Sequence, residues 1–221
     1  MRRKQFQVVL FGPQGSGKST QGKLLSEFFQ VPYYSSGDIF RREIQENTRL
    51  GNMVSEYVAS GMLAPDELVD AIMKKSLSAD DFSRGFILDG YPRNVEQATT
   101  LDKLQKIHLA IQLKLTDEEA VKRLRGRLQC ETCRELFHET TLPKSDRTQC
   151  TVCGGKLKKR DDDREIVIRK RLAAYRFMTE PMARYYRQKG SLLAVNGGQD
   201  ISDLFEELVK KTTRLGFLSR R

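Results

Sequence analysis

Residues Gly12 to Ser19 read G-P-Q-G-S-G-K-S, between an apolar run, Phe6 to Phe11, and a stretch of helical period from Lys18 to Phe29. A glycine-rich turn from strand to helix that closes on a lysine and a hydroxyl residue is a phosphate-binding loop. Gly12, Gly15 and Gly17 carry no Cβ, so successive backbone N–H groups can close around an anion. The helix opening at the loop adds its unpaired N–H groups and the positive end of its dipole. On this reading the segment Gly12 to Ser19 cradles phosphates. Lys18 reaches the outer ones, and Ser19 or Thr20 supplies a hydroxyl toward magnesium. A plain glycine-rich turn is the competing reading, and it leaves the full match in its strand–helix context unexplained.

Cys130-Glu-Thr-Cys133 and Cys150-Thr-Val-Cys153 form two C-x-x-C pairs with sixteen residues between them. Each pair turns two thiolates toward a common point, and two such turns complete a closed tetrahedral zinc site with no coordination position left for a substrate. Gly154 and Gly155 suit a knuckle after the second pair, whereas Arg134 and Glu135 fit that role less well. Disulfides are the alternative, disfavoured if the chain stays in a reducing compartment. A thioredoxin-like redox centre would need one pair rather than two.

Arginines cluster near these features. Arg123 and Arg127 precede the cysteines, Arg160, Arg164, Arg169 and Arg171 follow them, and Arg160 heads the run R-D-D-D. Arg41 and Arg93 each lie just past an expected strand end, in S-S-G-D-I-F-R and D-G-Y-P-R, where ligands of open α/β sheets gather. Arg164 and Arg169 read instead as helix-pairing charges. Asp89, at a strand end, resembles the acidic residue that orders magnesium through water, and as an isolated aspartate it would cap the following turn.

These residues need a scaffold, and the apolar pattern describes one. Short apolar strands at Phe6 to Phe11, Val31 to Tyr34, Phe86 to Leu88, Leu109 to Leu115 and Leu192 to Val195 alternate with helical segments. The helices fall at Lys18 to Phe29, Ile39 to Glu46, Asp66 to Leu77, Val95 to Lys106, Asp117 to Arg125, Glu165 to Gln188 and Ile201 to Thr213. Thr116 to Glu119 reads as a capping box. The fold class is α/β, a P-loop NTPase-like three-layer α/β/α sandwich around a five-stranded parallel sheet. Residues 36–64 show helical pattern without a strand and are expected to stand off the sheet as a helical insertion. Residues 126–163 hold neither period for long and are expected to form a zinc-ribbon lid, leaving 1–35, 65–125 and 164–221 as the core. The tail from Gly216 to Arg221 is expected to fray.

At 221 residues and 38% hydrophobic, the chain can bury one substantial core, and no apolar run approaches the length of a membrane helix. The basic start followed by a short apolar run does not read as a secretory leader, so a cytoplasmic protein is expected. The net charge of +10 suits phosphate-bearing ligands, whether nucleotides or nucleic acid. With only His108 and His138, a histidine-centred mechanism has little to work with, and His108 reads as structural.

The phosphate loop with Gln21, S-S-G-D-x-x-R, G-M-L-A-P-D-E-L, D-G-Y-P-R-x-x-x-Q, G-R-x-x-C-x-x-C, R-x-D-D and R-K-R-L follow one another along essentially the whole chain. In that order they resemble the bacterial-type, long-lid adenylate kinases that carry zinc. The resemblance implies that ATP phosphates lie on Gly15 to Thr20, that Arg123 and Arg127 contact ATP, that Leu136 and Phe137 cover its adenine, and that Gln199 sits near the base. It implies AMP contacts from Ser36, Arg41, the Met62-Leu63-Ala64 backbone, Gly90, Tyr91, Pro92, Arg93 and Gln97. Arg160 and Arg171 would reach the phosphates being exchanged, with magnesium near Ser19, Thr20 and Asp89 and zinc on Cys130, Cys133, Cys150 and Cys153.

Three positions depart from the family pattern. Ser19 replaces the usual glycine, Ser36 stands where threonine is common, and Gln199 takes a position that is frequently basic.

The implied reaction is ATP + AMP ⇌ 2 ADP by a monomer. Its attacking phosphate is already largely ionised at neutral pH, so no general base is needed. Lys18, Arg41, Arg93, Arg127, Arg160 and Arg171 would offset the charge drawn together. The alternatives are a kinase for another nucleoside monophosphate, or a nucleic-acid-stimulated ATPase in which the ribbon binds the polymer.

Overall fold

The computed structural model describes residues 5–60, 62, 64–77, 85–160 and 163–218. Strand β1 (Phe6–Phe11) is buried at every residue, as a strand covered on both faces must be. Its side chains alternate between two cores. Val8 and Leu10 pack under α1 (Lys18–Phe29) and α9 (Ile201–Arg214). Val9 and Phe11 face a cluster built by α2 (Ser36–Gln45), α3 (Arg49–Ser60), α4 (Asp66–Leu77), α5 (Val95–Leu104) and α8 (Met182–Gln188).

Around β1 run β2 (Tyr33–Ser35), β3 (Gly85–Asp89), β4 (Leu109–Lys114) and β8 (Leu192–Asn196), in the order β2-β3-β1-β4-β8. All pairings are parallel, so the expected five-stranded sheet is present. The chain leaves β1 toward one edge and later returns to its other side, so β1 marks the switch point where a crevice opens at the strands' carboxyl ends. A third cluster, centred on Leu124 and Ile168, joins α6 (Asp117–Arg125) to α7 (Glu165–Ala174). The capping box at Thr116 and Glu119 forms as expected.

Three features differ from the sequence reading. The helix expected from Glu165 to Gln188 is interrupted: a π turn at Tyr175–Thr179 follows α7 before α8 begins. Pro181 supplies no N–H and its ring crowds the carbonyl four residues back, and the Glu180 N–H bonds instead to the Tyr175 carbonyl at 2.9 Å. The tail does not fray at Phe217, which is 3% exposed and meets Phe6 edge to face; such a burial stabilises by about 2 kcal/mol. Residues 126–163 contain a small antiparallel sheet, β6-β5-β7, formed by β5 (Arg127–Cys130), β6 (Leu136–His138) and β7 (Leu157–Lys158).

Candidate functional site

The parallel register brings several chain reversals to one edge. Leu10 pairs with Asp89, and Asp89 with Ser35, so the phosphate loop, the start of α2 and the Asp89-Gly90 turn are neighbours. Over that edge lies a cavity of about 620 Å³, floored by the loop and walled on the far side by Leu136, Phe137 and His138 of β6. A smaller cavity of about 80 Å³ opens between α2 and α3, with Met62 and Ala64 on its wall. Arg41, Arg93, Arg160 and Arg171 line both cavities.

Within the loop, Gly15 and Gly17 have φ of 81° and 90°, a region glycine enters without strain. The Lys18 ammonium donates to the Gly12 and Pro13 carbonyls, each at 2.8 Å. Burial pushes its pKa down to about 8, with Asp89 opposing and Arg171, Arg93 and Arg127 adding to the fall. Burial and Arg171 likewise bring Arg93 down to about 10, which leaves a guanidinium fully charged at neutral pH. Ser19 and Tyr33 each donate to Asp89 Oδ2 at 2.7 Å.

On the α2 side, Ser36 Oγ donates to the Gly90 carbonyl at 2.8 Å, and Arg93 Nε donates to the same oxygen at 2.7 Å. Gly90, at φ 75°, admits no larger residue, because a Cβ would stand 2.6 Å from Ser36 Oγ. Arg41 pairs with Asp38 at 2.5 Å, on the lip of the small cavity. Arg127 makes a two-point ion pair with the buried Asp163 at 2.8 and 2.5 Å, tying the start of the small sheet to its return limb.

Most of the residues expected at the site do line the cavities, including Ser16, Thr20, Asp89, Pro92, Arg127 and Gln199. Four of the expected residues hold contacts inside the protein. Tyr91 is 3% exposed and turns its hydroxyl to Asp70 at 2.9 Å, leaving only its backbone near the cleft. Gln97 spends both ends of its amide inside the protein, accepting from the Arg93 N–H at 2.8 Å and donating to Asp66 at 2.7 Å. Arg123 directs Nη1 and Nη2 at the carbonyls of Gly15, Gly197, Gly198 and Gln199, at 2.7 to 3.3 Å, so that end of the guanidinium ties two loops together while its planar face stays open to a ligand. The Gln199 amide donates to Glu207 at 2.6 Å. Leu63, Asp161 and Asp162 lie outside the described residues. Arg169 pairs with Glu165 one helical turn away, as expected of a surface charge.

Sequence reasoning missed Tyr33 and Asp163. Tyr33 reads as one apolar strand residue beside Tyr34, and only its placement next to the end of β3 reveals a polar task. Asp163 was hidden as the last of three consecutive aspartates.

The four cysteine sulfurs lie within 4.8 Å of one another. The Cys130–Cys153 and Cys133–Cys150 separations are 3.5 and 3.6 Å, close to the ~3.8 Å edge of a tetrahedron with metal–sulfur arms of ~2.3 Å. The Cys133 N–H points at Cys130 Sγ and the Val152 N–H at Cys150 Sγ. Arg134 takes φ 61°, the left-handed conformation that Gly154 takes at 72° in the second knuckle. The first pair therefore does form the same turn, at the cost of strain in a non-glycine residue.

The adenylate kinase family model matches residues 10–191. An adenylate kinase of Caldicellulosiruptor bescii is 40% identical over 208 residues, covering 92% of this chain and 97% of that protein. One from Methanosarcina barkeri is 41% identical over 206 residues, covering 91% and 95%, and one from Thermosipho melanesiensis is 40% identical over 207 residues, covering 91% and 97%. A family model that matches residues 10–191, with relatives about 40% identical nearly end to end, agrees with the phosphate loop and the arginine-lined cleft and places the chain in the adenylate kinase family.

Proposed function

We infer that the cleft performs the family's transfer, ATP + AMP ⇌ 2 ADP, with ATP in the larger cavity and AMP in the smaller. The observation that carries this assignment is the sharing of Arg41, Arg93, Arg160 and Arg171 between the two cavities. Charge-assisted donors shared by two sites lie where two phosphate chains meet, and a planar guanidinium grips such oxygens in a fixed orientation. Lys18 and Arg127 complete the positive lining from the loop and the lid edge.

On the ATP side, backbone N–H groups from Gly15 to Thr20 hold phosphates, the face of Arg123 stacks on the base, and Leu136 and Phe137 cover it. On the AMP side, Ser36, Arg41 and the Gly90 to Arg93 turn hold the phosphate, while Met62 and Ala64 border the base. Gln97 acts by holding the Arg93 backbone. An all-oxygen donor set at the loop, with Ser19 beside Asp89, fits a hard cation, and magnesium bound to the triphosphate supplies charge neutralisation there.

The residues then align donor and acceptor and exclude water, which a lid achieves by closing; adenylate kinase is itself the standard illustration of such gating. Residues 126–163 serve as that lid, held by structural zinc on the four cysteines, and 36–64 as the AMP-binding insertion. The working unit is a cytoplasmic monomer without a nucleic-acid partner. Among the described residues no helix is long and apolar enough to cross a membrane. Purified protein given ADP alone is expected to yield equal ATP and AMP. Hydrolysis to phosphate without AMP, or faster turnover with GMP, CMP or UMP as acceptor, would overturn the assignment.

A further inference from the structure

Asp66 opens α4 within the G-M-L-A-P-D-E-L stretch, just after Met62 and Ala64 on the wall of the small cavity. No step of the transfer calls on its carboxylate, yet both of its oxygens are engaged. Oδ1 accepts from the Gln97 side-chain amide at 2.7 Å, and Oδ2 from that of Asn94 at 2.6 Å. Asn94 in turn caps α5, accepting from the Gln97 backbone N–H at 2.8 Å. One turn further along α4, Asp70 accepts from the Tyr91 hydroxyl at 2.9 Å. Two carboxylates on one face of α4 therefore grip the chain on either side of Arg93.

The donor pattern decides which way the Gln97 amide faces. A carboxylate only accepts and a backbone N–H only donates. With Nε2 on Asp66, the Oε1 end must receive the Arg93 N–H, as it does at 2.8 Å. Without the carboxylate the amide is free to turn over, which sets its NH₂ against the Arg93 N–H and leaves that donor unpaired beside a side chain only 2% exposed. A shift of the Arg93 backbone reaches the cleft directly, because its guanidinium lines both cavities and holds the Gly90 carbonyl.

We propose that Asp66 is a positioning residue for phosphoryl transfer: its carboxylate fixes the Gln97 amide and, through it, the Arg93 backbone, so that the guanidinium stands where the two cavities meet. This rests on the phosphotransfer reading above and deepens it. An acidic residue in the first turn of a helix also complements the helix dipole. A carboxylate serving that purpose alone would change stability and leave the kinetics of the folded protein untouched.

The test uses the full chain, with steady-state kinetics in both substrates, thermal melting and ¹⁵N NMR of the ligand-free protein. Asp66→Ala is expected to lower kcat about fivefold with KM for ATP within about twofold, since a misaimed guanidinium loses more contact with the transition state than with bound substrate. Added to Arg93→Ala, the same change is expected to lower kcat by less than about twofold, because the group it aims is gone. Asp66→Asn is expected to lower kcat as Asp66→Ala does. Adding Gln97→Glu to it is expected to bring kcat back to within about threefold of the unaltered protein, since the reversed pair keeps every bond with one donor and one acceptor exchanged. Hydrogen exchange at the Arg93 amide is expected to quicken about tenfold in Asp66→Ala and to slow again in the reversed pair.

An undiminished loss on top of Arg93→Ala would overturn the positioning role, as would an Arg93 amide that exchanges no faster in Asp66→Ala. A lowered melting temperature with unaltered kcat would overturn it too, marking Asp66 as a helix-end charge. Disproportionation of ADP by the unaltered protein is scored first. Its absence would fell the transfer reading, while the Arg93 exchange rates still decide whether Asp66 holds Arg93.

Discussion

Arg93 illustrates how much of the site depends on one side chain being held from several directions. Its Nε is fixed on the Gly90 carbonyl, its backbone N–H on Gln97, and its carbonyl receives the Thr179 hydroxyl at 2.7 Å. Arg93→Ala is expected to lower turnover by about tenfold or more, since a donor preorganised toward developing charge is lost. The melting temperature should move little, because Ser36 still bonds the Gly90 carbonyl. Turnover near that of the unaltered protein would remove Arg93 from the phosphate site. Gln97 marks where residue-level reading from sequence falls short: a glutamine on a helix after D-G-Y-P-R is consistent both with touching a base and with bracing the arginine. Only the burial of its amide between Arg93 and Asp66 separates the two.

At the scale of elements, the sheet and its helices are plain in the alternation of short apolar runs and helical period, because the central strands β1, β3 and β4 are buried along nearly their whole length. The zinc-ribbon segment was not, since β5, β6 and β7 are two to four residues long and too short to show a period. The break in the long C-terminal helix did have a signal, Pro181, which the apolar period around it overrode.

The ribbon's small core consists of Leu128, Cys130, Cys150 and Leu157, with Phe137 and Leu142 against it. Half of its fully buried members are therefore the proposed ligands, and metal binding becomes folding energy. A zinc chelator is expected to unfold this segment while the five-stranded domain persists, seen as lost hydrogen-exchange protection confined to residues 126–163. Protection that survives in verified metal-free protein would refute it. Arg134→Gly removes the cost of a left-handed non-glycine residue and is expected to stabilise the segment by about 0.5–1 kcal/mol. Gly155→Ala is expected to do the reverse, because a Cβ there would sit 2.9 Å from Cys130 Sγ. Chelator titrations of the two variants, bracketing the unaltered protein, measure both effects.

For the whole molecule, the decisive property is the field that separate parts of the chain impose on Lys18. Burial lowers its pKa from 10.5 to about 8, Asp89 at the end of β3 opposes, and Arg171, Arg93 and Arg127 contribute from α7, the Gly90 turn and the lid edge. In the ligand-free fold the ammonium therefore releases its proton well before it does in the unfolded chain. Between pH about 8 and 10.5 the unfolded state binds more protons at this site, so Lys18 opposes folding below that window and the opposition eases as pH rises through it. Nucleotide binding runs the other way. A triphosphate favours the charged amine and raises its pKa again, so affinity falls as pH climbs past about 8 and binding takes up a proton there. Calorimetry of magnesium–ATP binding in two buffers of different ionisation enthalpy is expected to show uptake of about half a proton or more at pH ~8.5 and about none at pH ~6.5. Lys18→Met is expected to abolish the uptake. A heat independent of buffer at the higher pH in the unaltered protein would mean that the arginines and the loop do not act on Lys18 as one electrostatic unit.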